Sequence, residues 1–124
     1  GIFDNSIVHK IYEVYVLTYN SIKYFPKKDQ YSLGIRLETM VLEILELTVL
    51  AKTKAGTSRM LLLNKIDVKL KLFKLFVRIA HDIKAMSQSR YISLEEKLLE
   101  IGRMLGGWIR KLNTKPADDT AGSS

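Results

Sequence analysis

Three cations at positions 71, 74 and 78 offer the first recognisable chemistry in this chain. At roughly 100° per residue on a helix, Lys71, Lys74 and Arg78 share one ridge, which the phosphates of a nucleic-acid backbone can bridge with release of counterions. Asp67 lies four residues before Lys71 and Asp82 four after Arg78, so both outer cations can instead form ordinary helix-surface ion pairs. Lys65 and Lys69 fall within the apolar arc of the same helix, where they snorkel, pair with Glu38 or face a central channel. Arg59, Lys84, Arg103, Arg110 and Lys111 extend the basic set along this helix and its successor, as further candidates for contact with a polyanion.

The other chemistry-bearing residues point to structure. Glu38 lies inside the apolar arc of the preceding helix, and a buried carboxylate without a partner is costly. A Lys or Arg opposite it is therefore expected, and half of an ion pair is favoured over a general base. His81 flanks the basic ridge and His9 stands alone on an outer face. Neither belongs to an HExxH pattern. Arg78 precedes His81 by three residues, so the helical ribonuclease spacing of an Arg followed four to six residues later by a His is absent. With no Cys, disulfides and thiolate metal sites are excluded. No nucleophile with its base and no phosphate-cradling glycine loop is present. A non-enzymatic protein without metal or cofactor is the expectation.

The elements that carry these residues are helical. The chain has 124 residues, enough for one domain with a real core, and its 47% hydrophobic content with seven Gly and two Pro suits helices. Lys and Arg number 20 against 13 Asp and Glu, a net charge of +7. That excess favours polyanionic partners. No apolar run approaches the ~18 residues of a membrane span, and no signal-peptide pattern opens the chain. A soluble cytoplasmic protein without membrane contact is expected.

Periodicity and punctuation predict helices at about 5–24, 30–54, 58–87 and 93–113. In the first, Ile7, Ile11, Tyr15, Thr18 and Ile22 recur at helical spacing, and Pro26 stops it. A short basic turn, Lys27-Lys28, follows, and Asp29 is the expected cap of the second helix. Ala55-Gly56-Thr57-Ser58 reads as a left-handed glycine stop followed by a hydroxyl cap. Ser93 with Glu96 reads as a capping box opening the fourth helix. Residues 114–124 lack apolar content and should be disordered.

Short connections make an up-down-up-down antiparallel four-helix bundle of residues 1–113 the natural all-α architecture. The third helix sharpens that expectation. Its polar stripe is narrow, and its apolar arc is about twice the width that one core-facing stripe requires. It must be covered on two sides, and self-association into a closed homo-oligomer covers the second.

The last helix contains Ile101-Gly102-Arg103-Met104-Leu105-Gly106-Gly107-Trp108-Ile109-Arg110. Three mid-helix glycines each cost about 1 kcal/mol against Ala. Gly102 and Gly106, four apart, form a smooth groove that a neighbouring backbone or large side chain can approach, with Gly107 and Trp108 beside it. Tight packing within or between bundles is the favoured reading, and a docking notch for a partner the alternative.

This stretch resembles the C-terminal motif of the accessory variability determinant (Avd) proteins of diversity-generating retroelements. Phe25-Pro26-Lys27 with Tyr31-Ser32-Leu33-Gly34, and Asp67 through Tyr91 with its Arg-Ile-Ala core, agree as well. The similarity covers roughly residues 5–113, and the Asp67–Tyr91 stretch is shared with the broader four-helix-bundle proteins encoded in ribosomal RNA intervening sequences. Resemblance to the accessory family implies a barrel-shaped homopentamer with a basic surface. It also implies association with the element's reverse transcriptase and binding of template RNA or cDNA in support of mutagenic retrohoming. Arg103 and Arg110 belong to the matching motif, and Lys71, Lys74 and Arg78 to the matching third helix. They become candidate polymerase or nucleic-acid contacts. An intervening-sequence-type bundle protein is the alternative. A small helical-bundle enzyme, with Glu38 and Lys65 or Lys69 converging in a pocket, is the remote one.

Overall fold

The computed structural model describes residues 6–114, and the chain there is all-helical, without strands among the described residues. Helix α1 spans Ser6–Ile22. Helix α2 begins as one turn, Lys27–Asp29, widens into a π-helical segment, Gln30–Gly34, and runs regularly through Ile35–Lys52. Helices α3 and α4 span Gly56–Asp82 and Gln88–Asn113.

Cross-helix contacts give the topology. Tyr15 and Ile22 of α1 meet Glu38 and Gly34 of α2. Arg36 and Glu43 of α2 meet Phe76 and Lys69 of α3. Lys74 and His81 of α3 meet Gly102 and Tyr91 of α4. Lys10 and Glu13 of α1 meet Glu100 and Lys97 of α4. In each pair one residue number climbs as the other falls, so every neighbour is antiparallel and the bundle runs up-down-up-down. Helices α1 and α3 are diagonal across it.

The core is closed and apolar. Ile11, Val14, Val41, Ile44, Leu70, Phe73, Leu98 and Ile101 surround a void of only about 10 Å³ at the centre, so side chains from all four helices fill the interior at the density expected of a folded core. Thr18 is fully buried with them, and its hydroxyl has no hydrogen-bond partner. Among the described residues, no helix is long and apolar enough to cross a membrane.

The broad apolar arc of α3 divides in two. Leu63, Ile66, Leu70, Phe73, Val77 and Ala80 are buried, whereas Leu61, Val68, Leu72, Leu75, Ile79 and Ile83 remain exposed. Their spacing of three, four or seven residues makes a second continuous stripe on the outer side, which the described residues leave exposed.

Four local expectations are corrected. Asp29 does not cap α2. Pro26 takes the cap position, and its carbonyl accepts from the amides of Asp29 at 2.9 Å and Gln30 at 3.1 Å. Gly56 does adopt the left-handed conformation, at φ 53°, but as the first residue of α3 rather than the stop of α2, which ends at Lys52 with Thr53 in the cap position. Neither Thr57 nor Ser58 caps α3, and Ala55 holds that position without a side-chain hydrogen bond. Helix α3 ends at Asp82 rather than near 87. Lys84 is left-handed at φ 65°, and the amides of Lys84 and Ala85 return to the carbonyls of His81 and Ala80, both at 2.9 Å. This is a Schellman stop with a lysine in the usual glycine place. Helix α4 then opens at Gln88, five residues before Ser93, with the Ser87 hydroxyl accepting from the Arg90 amide. Ser93 and Glu96 are thus inside the helix and form no capping box at its start. The tail expected to be disordered lies, apart from Thr114, outside the described residues.

Candidate functional site

The basic ridge of α3 forms, but its charges are divided. Lys71 donates to Asp67 at 2.8 Å, and Arg78 lies 3.7 Å from Asp82; both pairs are exposed. Lys74 turns away from them. Its ammonium lies 3.7 Å from where a side chain on Gly102 would begin, so it crosses to α4.

Lys69 does not pair with Glu38. It reaches Glu43 at 3.5 Å across the α2–α3 seam, while Lys65 is exposed beside the outer apolar stripe. The neighbour of Glu38 is Tyr15. Burial first, and then the Glu38 charge and hydrogen bond, push the Tyr15 phenol above its ordinary pKa of 10.0. A phenol thus replaces the expected cation, because Glu38 is only half-buried and keeps part of its hydration. Glu38, Lys65 and Lys69 do not converge on a pocket.

Charges along the α1–α4 seam cancel. Lys10 bridges to Glu100 at 2.9 Å, and Lys97 and Lys10 flank Glu13 at 3.5 and 3.8 Å. The hydrogen bond with Lys10 holds Glu100 below the ordinary carboxylate value and raises Lys10 above its own. Arg103 is exposed and contributes to the field that lowers Glu100.

At the end of the bundle that carries the α2–α3 turn, the cations serve the fold. Arg59 donates from Nε to the Ala51 carbonyl at 2.9 Å and from Nη2 to that of Lys52 at 3.3 Å. It thereby closes the carbonyl end of α2, where a positive charge also complements the helix dipole. Its guanidinium lies 5.6 Å from the Trp108 ring centre, and the Lys52 ammonium 5.9 Å from it. Arg59, Trp108, Lys111 and Leu112 line a cleft of about 210 Å³. At this cleft the structure brings three sequence-predicted residues together, Arg59, Lys111 and Trp108.

The glycine motif departs from one expectation. Among the described residues, no backbone of another helix approaches Gly102, Gly106 or Gly107. A side chain at Gly106 would meet only Arg110 Nη1, at 3.3 Å, and one at Gly107 only Arg110 Nη2, at 3.9 Å. The groove is open, with the flexible ends of Lys74 and Arg110 resting over it. The close approach that requires a glycine is elsewhere, at Gly34, where an added Cβ would stand 2.9 Å from Ile22 Cγ2.

The opposite end of the bundle holds residues that spacing did not single out as a site. Tyr24 is 71% exposed in the α1–α2 turn, and the Arg90 guanidinium from α4 stands 4.5 Å over its ring. Tyr31 is 68% exposed in the π-helical segment. Gln30, next to it, donates to the carbonyls of Lys23 and Phe25 at 3.2 and 3.1 Å, which ties that segment to the turn. Lys27 and Lys28, between Tyr24 and Tyr31 in sequence, are exposed, and Lys84 occupies the α3–α4 turn at this same end. The available signal was the alternation of tyrosine and lysine from Tyr19 to Tyr31 across a proline turn. His81 is a structural link here, stacked on Tyr91 with ring centres 4.2 Å apart and hydrogen-bonded to Gln88. His9 is exposed beside Glu13 and Tyr12.

With this geometry in view, a comparison with protein families is decisive: a family described as bAvd-like matches residues 6–112. The chain belongs to the bAvd-like family. The match runs through all four helices and includes the Phe25–Gly34 turn, the α3 ridge and the glycine motif of α4. Among curated proteins, none matches the chain. In this bAvd-like chain, the sequence-predicted cations thus occupy several separate positions rather than one patch.

Proposed function

We propose that this chain is a non-enzymatic accessory protein of a diversity-generating retroelement, binding the element's reverse transcriptase together with nucleic acid, as template RNA or cDNA. The observation that carries the reading is family membership across residues 6–112. The net charge of +7 supports a polyanionic partner.

The protein works as a homo-oligomer, a pentamer by family resemblance. Two exposed apolar faces support this. One is the outer stripe of α3, with Leu61, Val68, Leu72 and Leu75; the other, on α1, includes Val16 and Tyr19. Because α1 and α3 are diagonal, these unlike faces point in opposite directions. A contact between them is head-to-tail, the kind that closes into a ring when the rotation allows. The open Gly102–Gly106 groove supports a second close approach between subunits.

The test is coexpression with the reverse transcriptase encoded beside the chain's own gene. Copurification of the two proteins, a light-scattering mass several times that of the protomer, and RNA binding that weakens steeply with salt are expected. A monomer that binds neither the polymerase nor RNA overturns the reading. Replacing Leu75 by Glu should dissolve the oligomer while leaving the helical content unchanged.

A further inference from the structure

The surface at the α1–α2 turn has features that charge alone does not explain. Phosphate binding needs only cations and hydrogen-bond donors, yet the segment that carries Lys27 and Lys28 also exposes two large aromatic residues, Tyr24 and Tyr31. Arg90 covers one face of the Tyr24 ring, its guanidinium 4.5 Å from the ring centre. With 71% of the residue exposed, much of the ring remains available for another planar group. One helical turn earlier, Lys23 stands 5.2 Å over the half-exposed ring of Tyr19. Tyr31 is presented from the π-helical segment and is 68% exposed.

We propose that this end of the bundle is a stacking platform for the unpaired bases of a single-stranded nucleic acid, a proposal that rests on the nucleic-acid reading above. Tyr24 and Tyr31 receive base faces, and Lys27 and Lys28 engage the intervening phosphates. The arrangement selects against duplexes. In a duplex the base faces are already stacked on one another, so only the lysines gain contacts, whereas an unpaired strand engages rings and lysines together. Arg90, spread over the far face of Tyr24, supports the ring from behind. The site has no need of sequence preference, since every base offers a face to stack.

Fluorescence anisotropy with the full chain tests this, using a labelled oligouridylate and a double-stranded RNA of equal length. The unmodified protein should bind the single strand more tightly. Tyr24→Ala with Tyr31→Ala should weaken single-strand binding by roughly tenfold or more. Duplex affinity and the salt dependence should stay the same, because no phosphate contact is removed. Tyr24→Phe with Tyr31→Phe should retain single-strand binding. Equal loss for single and double strands overturns the platform, as does unchanged single-strand affinity in the double-alanine variant. If that variant loses the polymerase but keeps the oligonucleotide, the surface is a protein contact and the proposal fails. Absence of all nucleic-acid binding by the unmodified protein overturns the broader reading as well.

Discussion

Each end of the bundle pairs arginine with an aromatic ring, yet the two pairs do different things. At the α2–α3 end, Arg59 has two of its guanidinium nitrogens, Nε and Nη2, on the Ala51 and Lys52 carbonyls, and the ring beneath it, Trp108, is half-buried against the core. At the α1–α2 end, Arg90 lies over a ring that is mostly in solvent. A cation anchored by two backbone carbonyls is held in place to close a helix end. A cation supporting an exposed ring leaves that ring free to bind. The same residue types therefore stabilise the fold at one end and present a surface at the other.

The largest effect expected from breaking this contrast is on stability at the Trp108 end. Trp108→Ala should cost about 2 kcal/mol, less than for a fully buried tryptophan. Arg59→Ala should cost about 1.5 kcal/mol through the lost charged hydrogen bonds at the end of α2. Tyr24→Ala and Arg90→Ala should stay within about 0.5 kcal/mol of the parent. Urea unfolding of the four variants measures all of these, and equal losses at the two ends would erase the distinction.

Lys84→Gly comes next, separating backbone from charge at the exposed end. Glycine relieves the left-handed strain at φ 65° and should stabilise the protein by about 1 kcal/mol, although one cation is removed. A destabilised variant would show that the lysine side chain, rather than its backbone, matters to the fold.

The smallest effect belongs to the seam between the two ends. Glu100 is held below its ordinary value of 4.5 and Lys10 above its ordinary 10.5. Their bridge therefore contributes fully above pH 4.5 and below pH 10.5. It is lost as pH falls through the depressed Glu100 value, or rises through the raised Lys10 value. Both groups are solvated, so Glu100→Gln should produce only a slight destabilisation within that window and none below it. A melting difference that persists in strong acid would assign the role of Glu100 to packing instead.

Much of the fold is legible in the sequence. The 3.6-residue periodicity of α1 and α3, Pro26 and Gly56 were enough to define four helices, because each is a local property of the chain. The α3–α4 turn was less legible. Its stop is a lysine in a glycine's conformation, and its start, Ser87, competes with the stronger local pattern of Ser93 and Glu96. The earlier turn goes with the burial of Ala85 and Met86 and with the His81–Tyr91 stack, both of which form only when the helices dock. The candidate site was legible as charge but not as arrangement. Asp67 and Asp82 were visible as partners of the ridge, whereas the meeting of Arg90 with Tyr24 joins residues far apart in the chain.

The sequence by itself determined that this is a basic, all-helical chain whose third helix carries more apolar surface than one core can cover, since composition and periodicity are independent of how the helices dock. Only the tertiary structure decided which cations are occupied and which rings are exposed. Arg59 and Arg90 are alike as letters, and what separates them is the neighbour that antiparallel packing brings to each: a helix end with open carbonyls for one, a solvent-facing tyrosine for the other.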